Sequence, residues 1–283
     1  MAEYPYLASS LPDLLDPEGI GEHPFSAFDA FAREELREGD YRRMRGCFIT
    51  ADVINLLRRL RSSNPEAPPR LLEPSFFTPE ELAEGLGDSD RFPEPFAEFL
   101  WAWRNERLHL EGRSPETVLG ESLMSWIVTD GRPLLGNFTR DFVIWDMHRR
   151  NIATALAGRS ADMDYRKDII VFDDWSSRVA ESGAPDFGWG GELGRFASMV
   201  DHYESDSPLE REQRATRVRW DWLDDRCAGR PFEAETIAAV AVKIADVERW
   251  LVLSPDEGRR RLDEIVESLH HDIRKLALEE SVL

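Results

Sequence analysis

Four segments of this 283-residue chain carry the chemistry of a helix start. Three of them, beginning at Thr78, Ser207 and Ser254, place a hydroxyl at the cap, proline at the first helical position and glutamate at the third. The hydroxyl accepts a hydrogen bond from a free backbone N–H, and the glutamate reaches back to the N–H of the cap residue. Ser114, followed by Pro115 and a glutamate, is a partial version. Four such starts predict a mostly helical protein.

Apolar residues recur at helical spacing in four segments, which supports the same fold class. The stripes are Cys47, Phe48, Ala51, Ile54 and Leu57; Phe138, Phe142, Trp145, Ile152 and Leu156; Ile237, Val240, Ala241, Ile244, Val247 and Leu251; and Leu262, Ile265, Val266, Leu269, Ile273 and Leu276. Arg149 interrupts the second stripe, inside a long helix predicted over 134–159. Only 4–7 and 169–172 resemble strands. We therefore expect an all-α fold of multi-helix bundles with at most one or two short strands.

Two stretches without helical periodicity divide the chain. The stretch 64–74 is rich in proline, and 183–194 is rich in glycine. They predict an N-terminal helical part at 1–74, a central helical part at 75–186 and a C-terminal helical part at 187–283. One continuous domain is the alternative.

A short sequence pattern in the N-terminal part recurs in the central part, and we call it the internal echo. Asn55 and Asn151 each precede an aliphatic residue and stand five positions before a leucine. Matches of this length leave both duplication and coincidence open. For a buried asparagine we expect a structural hydrogen bond rather than a contact with a partner.

The charge balance restricts the partners that the protein can bind. Asp and Glu number 55 against 35 Lys and Arg, which gives a formal net charge of −20. Such a field repels polyanions and disfavours nucleic-acid binding. No apolar run approaches the ~18 residues of a membrane span, and the N-terminus lacks the features of a signal peptide. We expect a soluble, intracellular protein.

Most enzyme signatures are absent from the sequence. It contains no phosphate-binding loop, dinucleotide fingerprint, serine elbow, Cys-x-x-Cys or His-Glu-x-x-His. Asp186, Phe187 and Gly188 spell the kinase magnesium motif, but no catalytic-loop aspartate or nucleotide loop accompanies them. We interpret the triplet as a turn in which Asp186 caps and Gly188 supplies an unusual backbone angle. The sequence predicts no catalytic residue and no cofactor.

One metal-binding alternative stays open. Glu106 and His109, and Glu267 and His270, are Glu-x-x-His pairs on predicted helices. Two such pairs, with two further glutamates, form the di-iron site of ferritin-like bundles. With 55 acidic residues among 283 and six histidines, about one such pair is expected by chance. Solvated ion-pair residues are therefore the favoured interpretation, and a di-iron-type metalloenzyme is the alternative.

Several segments together resemble a bacterial family whose genes accompany V-type ATPase operons. They are the opening Tyr4-Pro-Tyr-Leu-Ala-Ser-Ser-Leu-Pro-Asp-Leu, Asp52-x-x-Asn-Leu-Leu, Arg150-Asn-Ile-Ala-x-Ala-Leu-x-x-Arg159 and Ala184-Pro-Asp-Phe-Gly188. That family is in turn similar to the C/d subunit, the central rotor subunit of V- and A-type ATPases. The C/d subunits are all-helical, pseudo-repeated proteins that cap the membrane ring and receive the central shaft.

The resemblance implies a function and a set of sites. It implies a non-catalytic coupling subunit on the cytoplasmic side, peripheral to the inner face of the membrane, with the membrane ring and the central-shaft subunits as partners. A soluble helical adaptor protein is a further alternative. The family-motif or interface candidates are Tyr4, Tyr6, Asn55, Asn151, Arg159, Asp186, Phe187, Gly188 and Trp189.

Overall fold

The computed structural model describes residues 3–11, 25–62, 69–201, 203 and 207–252, and these residues form twelve α-helices. The helices are α1 (Pro5–Ser10), α2 (Phe25–Glu35), α3 (Glu38–Gly46), α4 (Ala51–Arg61), α5 (Pro79–Gly87), α6 (Glu94–Arg104), α7 (Pro115–Thr129), α8 (Arg132–Ser160), α9 (Asp174–Glu181), α10 (Ala197–Asp201), α11 (Pro208–Cys227) and α12 (Ala234–Val252). Short 3₁₀ turns cover Ser89–Arg91, Arg166–Asp168 and Gly190–Phe196. The expected all-α fold is confirmed.

Three of the four predicted helix starts lie in the described part of the chain, and all three are present. Thr78 with Glu81 and Ser207 with Glu210 form reciprocal capping boxes. The Ser114 side chain accepts from the N–H of Thr117 at the start of α7. The fourth start, at Ser254, lies outside the described residues. A further capping box, which was not predicted, lies at the start of α9, where Asp173 is the cap.

Neither strand-like segment is a strand. Pro5 occupies the first turn of α1, where its fixed φ suits a helix, so 4–7 forms a helix start. The extended segment 169–172 pairs with no other strand among the described residues. The described chain has one isolated antiparallel bridge, between Glu3 and Glu233.

The predicted apolar stripes are confirmed in α8 and α12 and altered around α4. Ile237, Ala241 and Ile244 of α12 are buried. The stripe that begins at Cys47 is broken, because α3 ends at Gly46 and α4 begins at Ala51. This break rotates α4, so that Ile54 is 38% exposed. The stripe from Leu262 lies outside the described residues.

The buried apolar side chains form two clusters that share α8. The larger cluster joins α1 to α7, the first half of α8, the end of α11 and α12. The smaller one joins the second half of α8, α9, α10 and the middle of α11. Because α12 packs on α2 and α3, the predicted N- and C-terminal parts meet in one cluster. The three-part division of the chain stays a prediction.

None of the helices among the described residues is both long enough and apolar enough to cross a membrane.

Candidate functional site

Asn55 lies in α4 and binds the backbone of the chain that returns after this helix. Its side chain is buried, and its Nδ2 donates to the carbonyl of Leu72 at 3.0 Å while its Oδ1 accepts from the Leu72 N–H at 2.6 Å. An amide has the same donor and acceptor pair as a peptide group. The side chain therefore satisfies a backbone segment that belongs to no helix and pairs with no strand within the described part of the chain.

Asn151 does the same in α8. Its Nδ2 donates to the carbonyl of Ile170 at 2.7 Å, and its Oδ1 accepts from the Ile170 N–H at 3.1 Å. We call these two arrangements, Asn55 with Leu72 and Asn151 with Ile170, the asparagine brackets. The internal echo in the sequence therefore corresponds to a repeated hydrogen-bonded structure.

The residue three positions before each asparagine also holds the returning segment. Asp52 accepts from the N–H of Phe76 at 2.8 Å, and His148 Nε2 lies 2.8 Å from Asp173 Oδ2. The returning segment then ends at a helix cap in both cases, Thr78 for α5 and Asp173 for α9. Residues 51–62 with 69–87, and residues 147–181, thus form two units of the same kind: a helix, a bracketed return and a capped helix.

Alanine at either bracket asparagine is expected to lower the free energy of unfolding by about 2 kcal/mol. Each change leaves one half-buried backbone N–H and one half-buried carbonyl without the asparagine partner. Chemical denaturation of Asn55→Ala and Asn151→Ala tests this expectation, with the exposed Asn137→Ala as the matched control. Equal stabilities of the three variants would contradict the bracket.

Asp52 is a buried carboxyl group between the two halves of the first unit. Burial raises its pKa to about 8, and the N–H groups of Phe76 and Phe77 oppose this rise only in part. Between its unfolded pKa of about 4 and its folded value, the native state binds one more proton than the unfolded state. Asp52 therefore makes the protein less stable as the pH rises through this range.

Asp52→Asn should remove that pH dependence, because asparagine keeps the acceptor oxygen and does not ionise. We expect the variant to gain stability relative to the wild type by about 3–4 kcal/mol between pH 5 and pH 8, and the difference to level off above pH 8. Denaturation at each pH measures the difference. The exposed Asp221→Asn serves as control, and a pH-independent difference for Asp52→Asn would contradict the assignment.

Arg159, near the end of α8, clamps the loop that follows α9. Its guanidinium donates to the carbonyls of Ser182 at 2.7 Å and Ala184 at 2.8 Å. It also stacks on the Phe187 ring, with 4.1 Å from Cζ to the ring centroid. The two motif segments that the sequence analysis separated, around Arg159 and around Asp186, are therefore in direct contact.

The Asp186 segment is a turn, as expected. The Asp186 carboxylate accepts from the N–H groups of Gly188 and Gly190, both at 3.0 Å. Gly188 has a φ of +75°, and the Phe187 ring is fully buried despite a φ of +55°. Trp189 stacks on Trp175 of α9. Asp186, Phe187, Gly188 and Trp189 therefore all have local structural roles.

The N-terminal motif divides into one anchored and one exposed tyrosine. Tyr4 donates its hydroxyl to Asp40 at 2.6 Å, and its N–H binds the carbonyl of Phe232 at 2.7 Å. Tyr6 is 71% exposed. Tyr4 therefore fixes the chain end to α3 and to the turn before α12, whereas Tyr6 is available at the surface.

A buried ionic network joins α8, α11 and α12. Asp146 and Arg149 of α8, Arg219 of α11 and Asp246 of α12 are all buried. Asp146 accepts from Arg149 Nε at 2.7 Å and from Arg150 Nε at 2.8 Å, and Arg219 donates to Asp246. Although burial opposes ionisation, the guanidinium groups hold the pKa of Asp146 well below its usual range.

Only one member of this network, Arg149, stands out in the sequence, because it interrupts an apolar stripe. A charged residue in a core stripe signals a buried partner. The position of Asp146 three residues earlier supplied a second signal, because i and i+3 side chains meet on a helix. Arg219 and Asp246 come from distant segments, so no local pattern connects them.

The first Glu-x-x-His pair does not lie on a helix, which corrects the sequence analysis. α6 ends at Arg104, and both Glu106 and His109 are exposed in the loop that follows. Glu106 has a φ of +55°, so the helical i, i+3 geometry is lost. Glu267 and His270 lie outside the described residues, within which no group of three or more His, Cys, Asp or Glu is placed to hold a metal.

The described residues thus define a class of protein: an all-α chain with two bracketed helical units, joined by a buried ionic network. The chain belongs to the family described as protein of unknown function DUF2764, whose model matches residues 1–273. No curated protein and no solved structure matches it significantly.

Proposed function

We propose that this protein is a non-catalytic coupling subunit of a V-type ATPase, similar to the C/d subunit and held between the membrane ring and the central shaft. The single observation that carries the proposal is the repetition of the asparagine bracket at Asn55 and Asn151. The family resemblance implies an all-helical, pseudo-repeated fold. The two bracketed units in an all-α chain support the proposal because they are an internal structural repeat.

The packing of the second unit suits a part that transmits force. Aromatic rings are in contact from His148 through Trp175 and Phe196 to Trp145 and Trp222, and so connect α8, α9 and α11. The buried ionic network ties the same region to α12. Close-packed, cross-linked interiors deform little under load, which favours torque transmission by shape.

The surface offers anchors for protein partners. Tyr6 is 71% exposed, and Phe232, whose carbonyl binds the Tyr4 N–H, is 43% exposed. Aromatic residues dominate the energetics of interfaces. A net charge of −20 favours basic surfaces on the partner. The proposed location is therefore the cytoplasmic face of the membrane, where the protein is attached through other subunits.

Affinity purification from native membranes tests the proposal. The tagged full-length protein is expected to recover ring and shaft subunits, and its deletion is expected to abolish ATP-driven ion pumping while ATP hydrolysis by the soluble head persists. Tyr6→Ser should reduce the recovery of these subunits. The control is Met163→Ser, because Met163 is equally exposed, at 66%, and lies outside the N-terminal motif.

Two outcomes would overturn the proposal. In the first, neither ring nor shaft subunits are recovered and pumping is unchanged in the deletion strain. In the second, the protein recovers one soluble partner and no ATPase subunit, which is the behaviour of an adaptor protein. Wild-type recovery with Tyr6→Ser would contradict only the assigned anchor.

A further inference from the structure

A cavity of about 280 Å³ opens between the second half of α8, α10 and the first turns of α11. Its lining includes the apolar side chains of Ala153, Met199 and Ala215, which we call the floor, and three arginines, Arg149, Arg211 and Arg214. Tyr203 lies at its edge, and Arg211 stacks on this ring. Its volume is at the lower limit of small-molecule sites.

Arg149 is the unusual member of this lining. Its side chain is nine-tenths buried, and its only hydrogen bond within the described chain runs from Nε to Asp146. The two terminal nitrogens hydrogen-bond to no described residue, yet they are not sealed in the core. The cavity is therefore the space to which these donors have access.

Among the described residues that line the cavity, three are arginines and one is a carboxylate, Glu212, although the protein as a whole is acidic. Asp146 is shared among Arg149, Arg150 and Arg219, so one carboxylate faces three guanidinium groups. Arg249 lies close enough that burial and then the charges of Arg149 and Arg150 lower its pKa. Glu212 also lines the cavity and pairs with Arg249. Among the described groups of this network, the guanidinium groups of Arg149, Arg150, Arg219 and Arg249 therefore number four, against three carboxylates, those of Asp146, Asp246 and Glu212, which leaves one positive charge for an additional anion.

We propose that this cavity binds the oxyanion group of a small ligand, either a phosphate or a carboxylate on a short apolar body. Arg149 is the residue that binds it, because its unused Nη donors match the paired oxygens of such groups. The alanine and methionine floor accommodates the apolar body. This site is separate from the surfaces proposed for ATPase partners, so either proposal can fail alone.

Calorimetric titration of the full-length protein with inorganic phosphate, and separately with butyrate, tests the site at constant ionic strength. We expect saturable binding of at least one probe, weakened tenfold or more in Arg149→Gln. Arg217→Gln removes the same charge from an exposed position of α11 and is expected to change the affinity less than twofold. Which probe binds more tightly distinguishes a phosphate site from a carboxylate site.

A second variant covers the possibility that Arg149→Gln unfolds. Ala157 is exposed at the cavity mouth, so Ala157→Phe should fill the cavity without disturbing the core and abolish binding. The wild-type melting temperature should also rise with the bound probe, but not with chloride at equal ionic strength. Absence of saturable binding by the wild type, equal effects of Arg149→Gln and Arg217→Gln, or unchanged binding in folded Ala157→Phe would each overturn the proposal.

Discussion

Asp146→Asn is expected to lower the free energy of unfolding by about 3–5 kcal/mol, the cost of removing one partner from a buried ion pair. Asp146 is buried and is the shared counter-ion of Arg149, Arg150 and Arg219. Asparagine keeps the shape but removes the negative charge. The three guanidinium groups would then repel one another in a region from which water is largely excluded.

Denaturant unfolding at pH 7 measures this loss, and Asp141→Asn is the matched control. Asp141 lies on the same helix and pairs with Arg226 at the surface, where an ion pair contributes about 1 kcal/mol or less.

The pH dependence of the stability of Asp146→Asn gives a second test. Because the folded pKa of Asp146 is depressed, its contribution is present above the unfolded pKa of about 4 and is lost as the pH falls through the folded value. The difference between Asp146→Asn and the wild type should shrink in acid, and a constant difference would contradict the role of its charge.

Arg159→Met is expected to cost about 3 kcal/mol and to open the loop after α9. The change removes hydrogen bonds from a charged donor to the carbonyls of Ser182 and Ala184, each worth about 1.5–3 kcal/mol. It also removes the cation from the face of the Phe187 ring. Methionine retains much of the apolar stem, so the loss reports on the guanidinium.

Hydrogen exchange measures the local effect. The backbone N–H groups of residues 182–190 should exchange faster in Arg159→Met, while those of α4 and α7 keep their wild-type rates. Arg159→Lys should give an intermediate result, since a single ammonium group cannot reach all the carbonyls in the guanidinium geometry. Arg217→Met is the control for loss of an exposed arginine. Unchanged exchange in the loop would show that the clamp does not hold it.

For the asparagine brackets, the sequence predicts the two asparagines but not the residues that they bind. Asn55 and Asn151 stood out as an echo, and burial of asparagine favoured a structural hydrogen bond. The partners, Leu72 and Ile170, could not be identified, because any backbone group can bind an amide and no side chain marks the partner. The path of the returning chain decides which residue it is.

For the first Glu-x-x-His pair, in contrast, the residue spacing predicted a helical geometry that the structure does not have. Spacing alone suggested one helix face for Glu106 and His109, but α6 ends at Arg104. Asn105 accordingly folds back, and its side chain binds the carbonyl of Trp101. A residue pattern carries the helical meaning only where the backbone stays helical.

The sequence by itself determined the all-α class and the helix starts at Thr78, Ser114 and Ser207, because capping and apolar periodicity act within one or two turns of chain. Only the tertiary structure decided that Asp146, Arg149, Arg219 and Asp246 share one interior, and that Arg159 holds the Asp186 turn. The reason is physical. A buried charge is tolerated only with its partner, and the partner is chosen by how distant helices pack rather than by neighbouring residues.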